Sequence, residues 1–427
     1  MRFEPAISLR GDLAVPGDKS VSHRALLLGT IADGDSEARG FGRSADTLST
    51  AAAVRALGAT VDEDGDTMRV RGVGLRGLRS PGEPIDCGNA GTLVRLLSGL
   101  LVGQAGSFEL VGDESLSSRP QERIAGPLRE MGARIETTDG HAPLRIEGGP
   151  LHPIAYDLPV ASAQVKSCIL LAGLYAEGGP TTVREPAPTR DHTERMLAAA
   201  GAHVERRAGA VSIRPADRLR PLSLDVPGDF SSAAPFLAVA TLLPGSELRL
   251  HGIGVNPTRT GFLHVLERMG ARISVYHRRE AGGEPVADLE VAASELVATE
   301  VRPEEVPLLI DELPLFALVA AHAHGESSVR GAQELRVKET DRIETVTSAL
   351  RSIGVHIQSR PDGFTVRGVP TRPAGGVVVE SGGDHRIAML GALAGLVSRE
   401  AVEVDDAECV RVSFPEFFDV LDSLVLR

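Results

Sequence analysis

Six stretches of the chain are apolar on nearly every helical face, and each follows a cluster of small and polar residues. They run from Ala25 to Leu28, Leu93 to Val102, Cys168 to Ala172, Ala233 to Val239, Leu315 to Val319 and Ile387 to Leu390. A helix without a polar face belongs in an interior. The polar starts, Asp18, Asn89, Ser162, Asp229, Asp311 and Asp384, fall 71, 73, 67, 82 and 73 residues apart, which is regular enough to indicate internal duplication. A second marker runs in step: a glycine, then Ala or Val, then β-favouring residues, at Gly58, Gly132, Gly201, Gly270 and Gly354. Each predicts the end of a second helix, where glycine accepts the left-handed conformation, leading into a strand. The pattern therefore predicts a six-fold α/β repeat of strand, polar turn, apolar helix, strand, second helix and closing strands.

One signature occurs twice, as Val15-Pro16-Gly17-Asp18 and Val226-Pro227-Gly228-Asp229, opening the first and fourth repeats. Three repeats lie between the copies. The chain is expected to leave one domain near residue 17 and return to it near residue 228. That gives a continuous domain, 18–228, and a discontinuous one, 1–17 plus 229–427, each of three repeats. A length of 427 residues, beyond the usual size of a single core, agrees with two domains.

Charge narrows the ligand class. A net charge of -13 argues against general nucleic-acid binding, and no apolar run approaches the length of a membrane span. Three widely spaced cysteines without a CxxC pair suggest neither a disulfide framework nor a zinc site. A reducing, cytoplasmic setting is the expectation. Of 45 basic residues only Lys19, Lys166 and Lys338 are lysine, and each lies in a polar cluster. An ammonium is a compact charge whose pKa moves readily on burial, unlike a guanidinium, so sites that need proton exchange resist replacement by arginine. If the six buried helices are arranged alike, their N-termini could converge, and helix N-termini attract anions. Asp, Asn and Ser at such positions are also ordinary N-caps. Caps alone do not account for the neighbouring Lys19, Arg24, Arg95, Lys166 and Arg386.

The segments PGDKSVSHRA, GNAGTLVRLL, DESLSSRP, SAQVKS, IDELP, LRVKETDR and GGDHRIAM occur in that order over nearly the whole chain. Together they resemble the 5-enolpyruvylshikimate-3-phosphate synthase family, in the bacterial form often called class II. The resemblance implies two domains, each of three βαβαββ units with buried helices, an inside-out α/β barrel arrangement, and an active site in the cleft between them. It implies transfer of the enolpyruvyl group of phosphoenolpyruvate to the 5-hydroxyl of shikimate 3-phosphate, with release of phosphate, in chorismate and aromatic amino acid biosynthesis. No metal or organic cofactor is implied, and the expected partners are these two small anions, bound by a monomer.

Carried over by the same resemblance, Asp311 accepts the 5-hydroxyl proton, Glu339 exchanges a proton with the methylene carbon, and Lys19 assists proton transfer. Shikimate 3-phosphate contacts fall to Lys19, Ser20, Arg24, Ser162, Ala163, Gln164, Asp311 and Lys338. Phosphoenolpyruvate contacts fall to Lys19, Gly91, Arg119, Gln164, Arg342 and Arg386. Lys166, Arg190 and His385 are left without a fixed role. The alternatives are that Arg24 and Arg95 pair with carboxylates on a solvated surface, and that Glu339, Asp341 and Arg342 are ordinary helix-face charges at i, i+3 spacing. One departure is Val412, where many members of the family carry a lysine before Thr-Phe-Pro or Ser-Phe-Pro; Arg411 lies one residue away and would point elsewhere in an extended segment. The rival enzyme is UDP-N-acetylglucosamine enolpyruvyl transferase, which generally carries a catalytic cysteine in a Gly-rich loop. The corresponding GDESLSSRPQ has none, and Asp113 would replace it only if the loops align badly. A non-catalytic anion-binding protein on the same repeats is the remaining reading, and the carboxylates Asp311 and Glu339 argue against it.

Overall fold

All six apolar stretches are helices: Lys19–Thr30, Gly91–Leu101, Ala163–Gly173, Phe230–Leu242, Leu313–Ala321 and His385–Val397. Nearly every residue in them is buried. Four start as the pattern predicts. Asp18, Ser162, Asp229 and Asp384 are N-caps whose side chains accept the amide N–H of Val21, Val165, Ser231 and Arg386. Asn89 and Asp311 depart from it. Asn89 lies one residue ahead of the cap position, and Asp311 sits in a 3-10 turn, Ile310–Glu312, so neither side chain caps its helix.

The five marker glycines have φ of 103°, 93°, 91°, 96° and 96°, and each follows a second helix. That left-handed conformation strains any residue with a Cβ. Three of these helices carry an arginine in the last turn that reaches a strand carbonyl six residues on: Arg55 to Val61 O at 2.9 Å, Arg129 to Ile135 O at 2.8 Å and Arg351 to Ile357 O at 3.0 Å.

The computed structural model describes residues 1–427 and divides into two compact units. The central unit is Gly17–Pro227 with Glu280–Glu284; the terminal unit is Met1–Pro16, Gly228–Arg279 and Pro285–Arg427. The chain passes between the units at Pro16–Gly17 and at Pro227–Gly228, and the local packing of the two glycines differs accordingly. A Cβ on Gly17 would meet Gly40 O at 1.9 Å in the central unit, whereas Gly228 lies against Val15 and Gly252 of the terminal unit. The short segment 280–284 is not legible as part of the central unit from sequence. It is the tip of a hairpin, and it is held there by a buried pair, His192 Nδ1 to Glu284 Oε1 at 2.8 Å, and by Arg195 donating to Gly283 O.

The central unit contains three four-stranded sheets of one topology. In each, two parallel strands flank a buried helix and an antiparallel pair follows. The first pairs are Ile85–Asp86 with Ser107–Val111, Ala155–Asp157 with Thr181–Arg184, and Ser223–Asp225 with Asp35–Arg39. In the third sheet the leading strand, Ser223–Asp225, comes last in sequence, so the end of the segment completes the repeat that began it. The terminal unit repeats this topology with strands borrowed from the N-terminus. Ser8–Leu13 runs parallel to Glu247–Gly254, Glu300–Val301 to Gly325–Val329, and Val378–Val379 to Val402–Val404, which Arg2–Phe3 closes. No sixth marker glycine is needed, because the last helix, Phe417–Leu424, runs directly into Val425–Leu426, which pairs with Ser8–Leu13. Each unit has its own apolar core, one built around Leu26, Leu96 and Leu170, the other around Phe236, Phe316 and Leu390.

Candidate active site

On the central unit the polar helix starts carry a set of cations. Lys19 Nζ lies 2.8 Å from Asp46 Oδ2, a partner the sequence reading did not identify. One turn later Arg24 is buried, so it is not a surface ion-pair residue. It donates to Thr193 Oγ1 at 2.7 Å, Ser167 Oγ at 3.1 Å and the Ser20 carbonyl at 2.9 Å. Burial pulls its guanidinium down to about 10, opposed by the Glu194 and Asp18 charges. Burial, with Lys19 and Arg24 adding to it, also holds His23 well below its ordinary value.

Gly91 begins the second buried helix between two guanidinium groups. A Cβ there would lie 3.2 Å from Arg119 Nη1 and 3.8 Å from Arg95 Nη1. Arg119 is held by Asn89 Oδ1 and by Ser115 Oγ at 2.9 Å, which is the use Asn89 finds in place of capping. Arg95 donates to Gln164 Oε1, and Gln164 Nε2 donates to Thr92 Oγ1 at 3.0 Å, so Gln164 joins the second and third buried helices. Ser162 and Ala163 form the start of that third helix. Lys166, three residues on, is fully buried and ion-paired to Glu185 and Glu194.

The terminal unit assembles a second cluster. Asp311 Oδ1 lies 3.3 Å from Lys338 Nζ and 3.4 Å from Arg342 Nη1, and its other oxygen is 3.9 Å from Arg386 Nη2. Asp311 lies in the 3-10 turn ahead of the helix and does not cap it, and its carboxylate meets these cations. Glu339 Oε2 accepts from Arg342 at 2.6 Å. Arg342 is only 1% exposed and Glu339 is mostly covered, so neither is a charge on a solvated helix face, whereas Asp341 caps the helix Arg342–Ser352 and pairs with Arg336 near the surface. The Arg342 guanidinium also reaches both oxygens of Asp384, at 2.8 and 3.1 Å. Burial works against the Arg342 charge, yet Asp384, Glu339 and Asp311 outweigh it and hold the group above its ordinary value. Burial likewise would raise Asp384, but Arg342 keeps it below the usual carboxylate range.

Arg386 lies 3.8 Å from Glu312, a buried carboxylate that accepts from Ser231 Oγ; sequence reasoning passed over both residues. Their only signal was a second acid beside Asp311 and a hydroxyl two residues after Asp229. His385 is buried at the first position of its helix. Arg411 lies in a 3-10 helix, Ala407–Val412, not an extended segment, and pairs with Glu408 on the surface. Asp113 caps the helix Glu114–Ser117 and accepts from Asn89 Nδ2 at 2.8 Å.

Comparison with known proteins gives one consistent result. The family described as EPSP synthase (3-phosphoshikimate 1-carboxyvinyltransferase) matches residues 4–421. A 3-phosphoshikimate 1-carboxyvinyltransferase of Geobacter sp. (strain M21) is 50% identical over 426 residues, covering 99% of both chains. One from Acidithiobacillus ferrooxidans (strain ATCC 53993) is 52% identical over 414 residues, 97% of this chain and 95% of that one. The solved EPSP synthase of Acinetobacter baumannii superposes with a TM-score of 0.88 at 43% identity, covering 100% of this chain and 98% of that one. The enolpyruvyl transferase NikO of Streptomyces tendae shares the fold, with a TM-score of 0.79 at 18% identity over 99% and 96% of the two chains.

Proposed function

This chain belongs to the EPSP synthase family, with its two-domain inside-out α/β fold, and on that premise we propose how its own residues carry the family's reaction. The reaction transfers the enolpyruvyl group of phosphoenolpyruvate to the 5-hydroxyl of shikimate 3-phosphate and releases phosphate. Addition requires a proton on the methylene carbon and the loss of one from the hydroxyl; elimination then reverses that traffic. Both steps call for acids and bases within hydrogen-bond reach.

Asp311 takes the 5-hydroxyl proton. The observation that supports this most directly is its release from helix capping and its contact with Lys338, Arg342 and Arg386. Those cations orient the carboxylate and suit the charge of the incoming anions. Glu339, steadied by Arg342, exchanges the proton at the methylene carbon, and Lys19, steadied by Asp46, assists. Arg119, Arg342 and Arg386, with Gly91 and Gln164, receive phosphoenolpyruvate. Ser20, Arg24, Lys338 and the helix start at Ser162, Ala163 and Gln164 receive shikimate 3-phosphate. Asp113, occupied as a cap, is poorly placed to replace the rival enzyme's cysteine. In this reading the enzyme works as a cytoplasmic monomer on small anions, with neither nucleic acid nor membrane as a partner.

Asp311→Asn tests the assignment. The variant is expected to lose roughly a hundredfold or more in kcat, the usual scale for a positioned general acid or base, with smaller changes in KM. Near-normal turnover would remove Asp311 from the role.

A further inference from the structure

Lys166 is the one lysine that neither candidate cluster uses, and its surroundings are unlike those of the other two. Lys19 and Lys338 are partly exposed, whereas Lys166 is 1% exposed on a helix most of whose residues are buried. Its ammonium group meets three different elements. It lies 2.7 Å from Glu194 on the helix His192–Ala199 and 3.1 Å from Glu185 just after the strand Thr181–Arg184. It also donates to the carbonyl of Thr189 in the loop between them, at 3.4 Å. Thr189 closes the ring by donating from Oγ1 to Glu185 Oε2 at 2.6 Å.

Two cations depend on this ring. Arg190 follows Thr189 directly, so the loop clamped by Lys166 carries it. Arg24 is held by Thr193, the neighbour of Glu194, and by Ser167, the neighbour of Lys166; Thr193 Oγ1 in turn donates to Ser167 Oγ at 2.7 Å. Glu194 is the strongest favourable charge acting on the buried Arg24 guanidinium, and Arg190 opposes it. One ammonium therefore joins the helix that begins at Ser162, the Arg190 loop and the cradle of Arg24.

A contribution to stability alone does not explain the arrangement. Desolvating an ion triad commonly costs as much as the pairing returns, and well-packed apolar replacements are often neutral or stabilising. A leucine or methionine would match the buried Val165, Ile169 and Leu170 of the same helix.

We propose that Lys166 is a positioning residue for binding of the acceptor, holding Arg24 and the Arg190 loop in register to receive the anionic groups of shikimate 3-phosphate. The proposal rests on the transferase reading given above. It assigns Lys166 no contact with substrate and no proton transfer.

The test separates acceptor from donor. In Lys166→Met, KM for shikimate 3-phosphate is expected to rise about tenfold or more, the scale of one charge-assisted hydrogen bond, while KM for phosphoenolpyruvate and kcat stay within about twofold. A purely structural role would instead lower the melting temperature and disturb both substrates alike. The charge-balanced double variant Lys166→Met, Glu194→Gln should melt close to the wild type yet keep the weakened acceptor affinity. If Lys166→Met does not fold, Glu185→Gln loosens the loop while leaving the Lys166–Glu194 pair, and the same acceptor-only defect is expected. Unchanged acceptor KM in a folded variant, or an equal loss for both substrates, overturns the proposal. Calorimetric titration with shikimate 3-phosphate reads the acceptor site without turnover. An inactive wild type would thus count against the transferase reading, while equal acceptor affinity in wild type and variant would count against the role of Lys166.

Discussion

At the scale of single residues Arg342 is the buried centre of the terminal cluster, paired with Glu339 and Asp384. RVKETDR marks a dense set of charges, and Lys338, Glu339 and Arg342 do gather beside Asp311. The local sequence does not reveal that Arg342 is fully buried and bound to Asp384, 42 residues away, because residue type does not specify which charge faces which. Asp46 beneath Lys19 and Glu312 beneath Arg386 escaped notice for the same reason. Removing one partner of a buried pair leaves the other uncompensated, at a cost of roughly 3–5 kcal/mol, so Asp384→Asn is expected to lower stability strongly at neutral pH. The pH dependence has a definite sign. The folded-state pKa of Asp384 lies below the unfolded value of about 3.9, so its stabilisation is complete above that value and is lost as pH falls through the folded pKa. Thermal unfolding followed from pH 7 to pH 3 should show a steeper decline for wild type than for Asp384→Asn. Parallel declines would contradict the pairing.

At the scale of elements the six-fold pattern was legible because buried helices and left-handed glycines leave periodic marks. What the pattern could not show is how closely the helices approach. Gly99 lies inside the helix Gly91–Leu101, and a Cβ there would meet the Cys168 carbonyl of the neighbouring buried helix at 2.3 Å. Neither backbone can yield without the helices separating, and the Arg95–Gln164 bond spans the same pair. Gly99→Ala should therefore destabilise by about 1–3 kcal/mol, the cost of overpacking, and raise KM for phosphoenolpyruvate. Gly126, in the helix Glu122–Glu130, has open space where a Cβ would go. Gly126→Ala is expected to gain about 0.5–1 kcal/mol through helix propensity. Denaturant unfolding of the two variants checks both signs, and similar shifts for both would refute the packing argument.

At the scale of the whole molecule, the repeated Val-Pro-Gly-Asp contains both points where the chain passes between the two units, Pro16–Gly17 and Pro227–Gly228. It could not show that the hairpin tip 280–284 belongs with the central unit, since a Gly282-Gly283 turn reports a reversal of the chain and not its neighbours. Lys19, Arg24, Gly91 and Arg119 belong to one unit and Asp311, Lys338, Glu339 and Arg342 to the other. The proposed reaction draws on both sets. The direct test is phosphate release from phosphoenolpyruvate, measured with shikimate 3-phosphate and, separately, with UDP-N-acetylglucosamine as acceptor. Release with shikimate 3-phosphate alone is the predicted result. Release with UDP-N-acetylglucosamine alone, or binding of shikimate 3-phosphate without any release, would contradict the account.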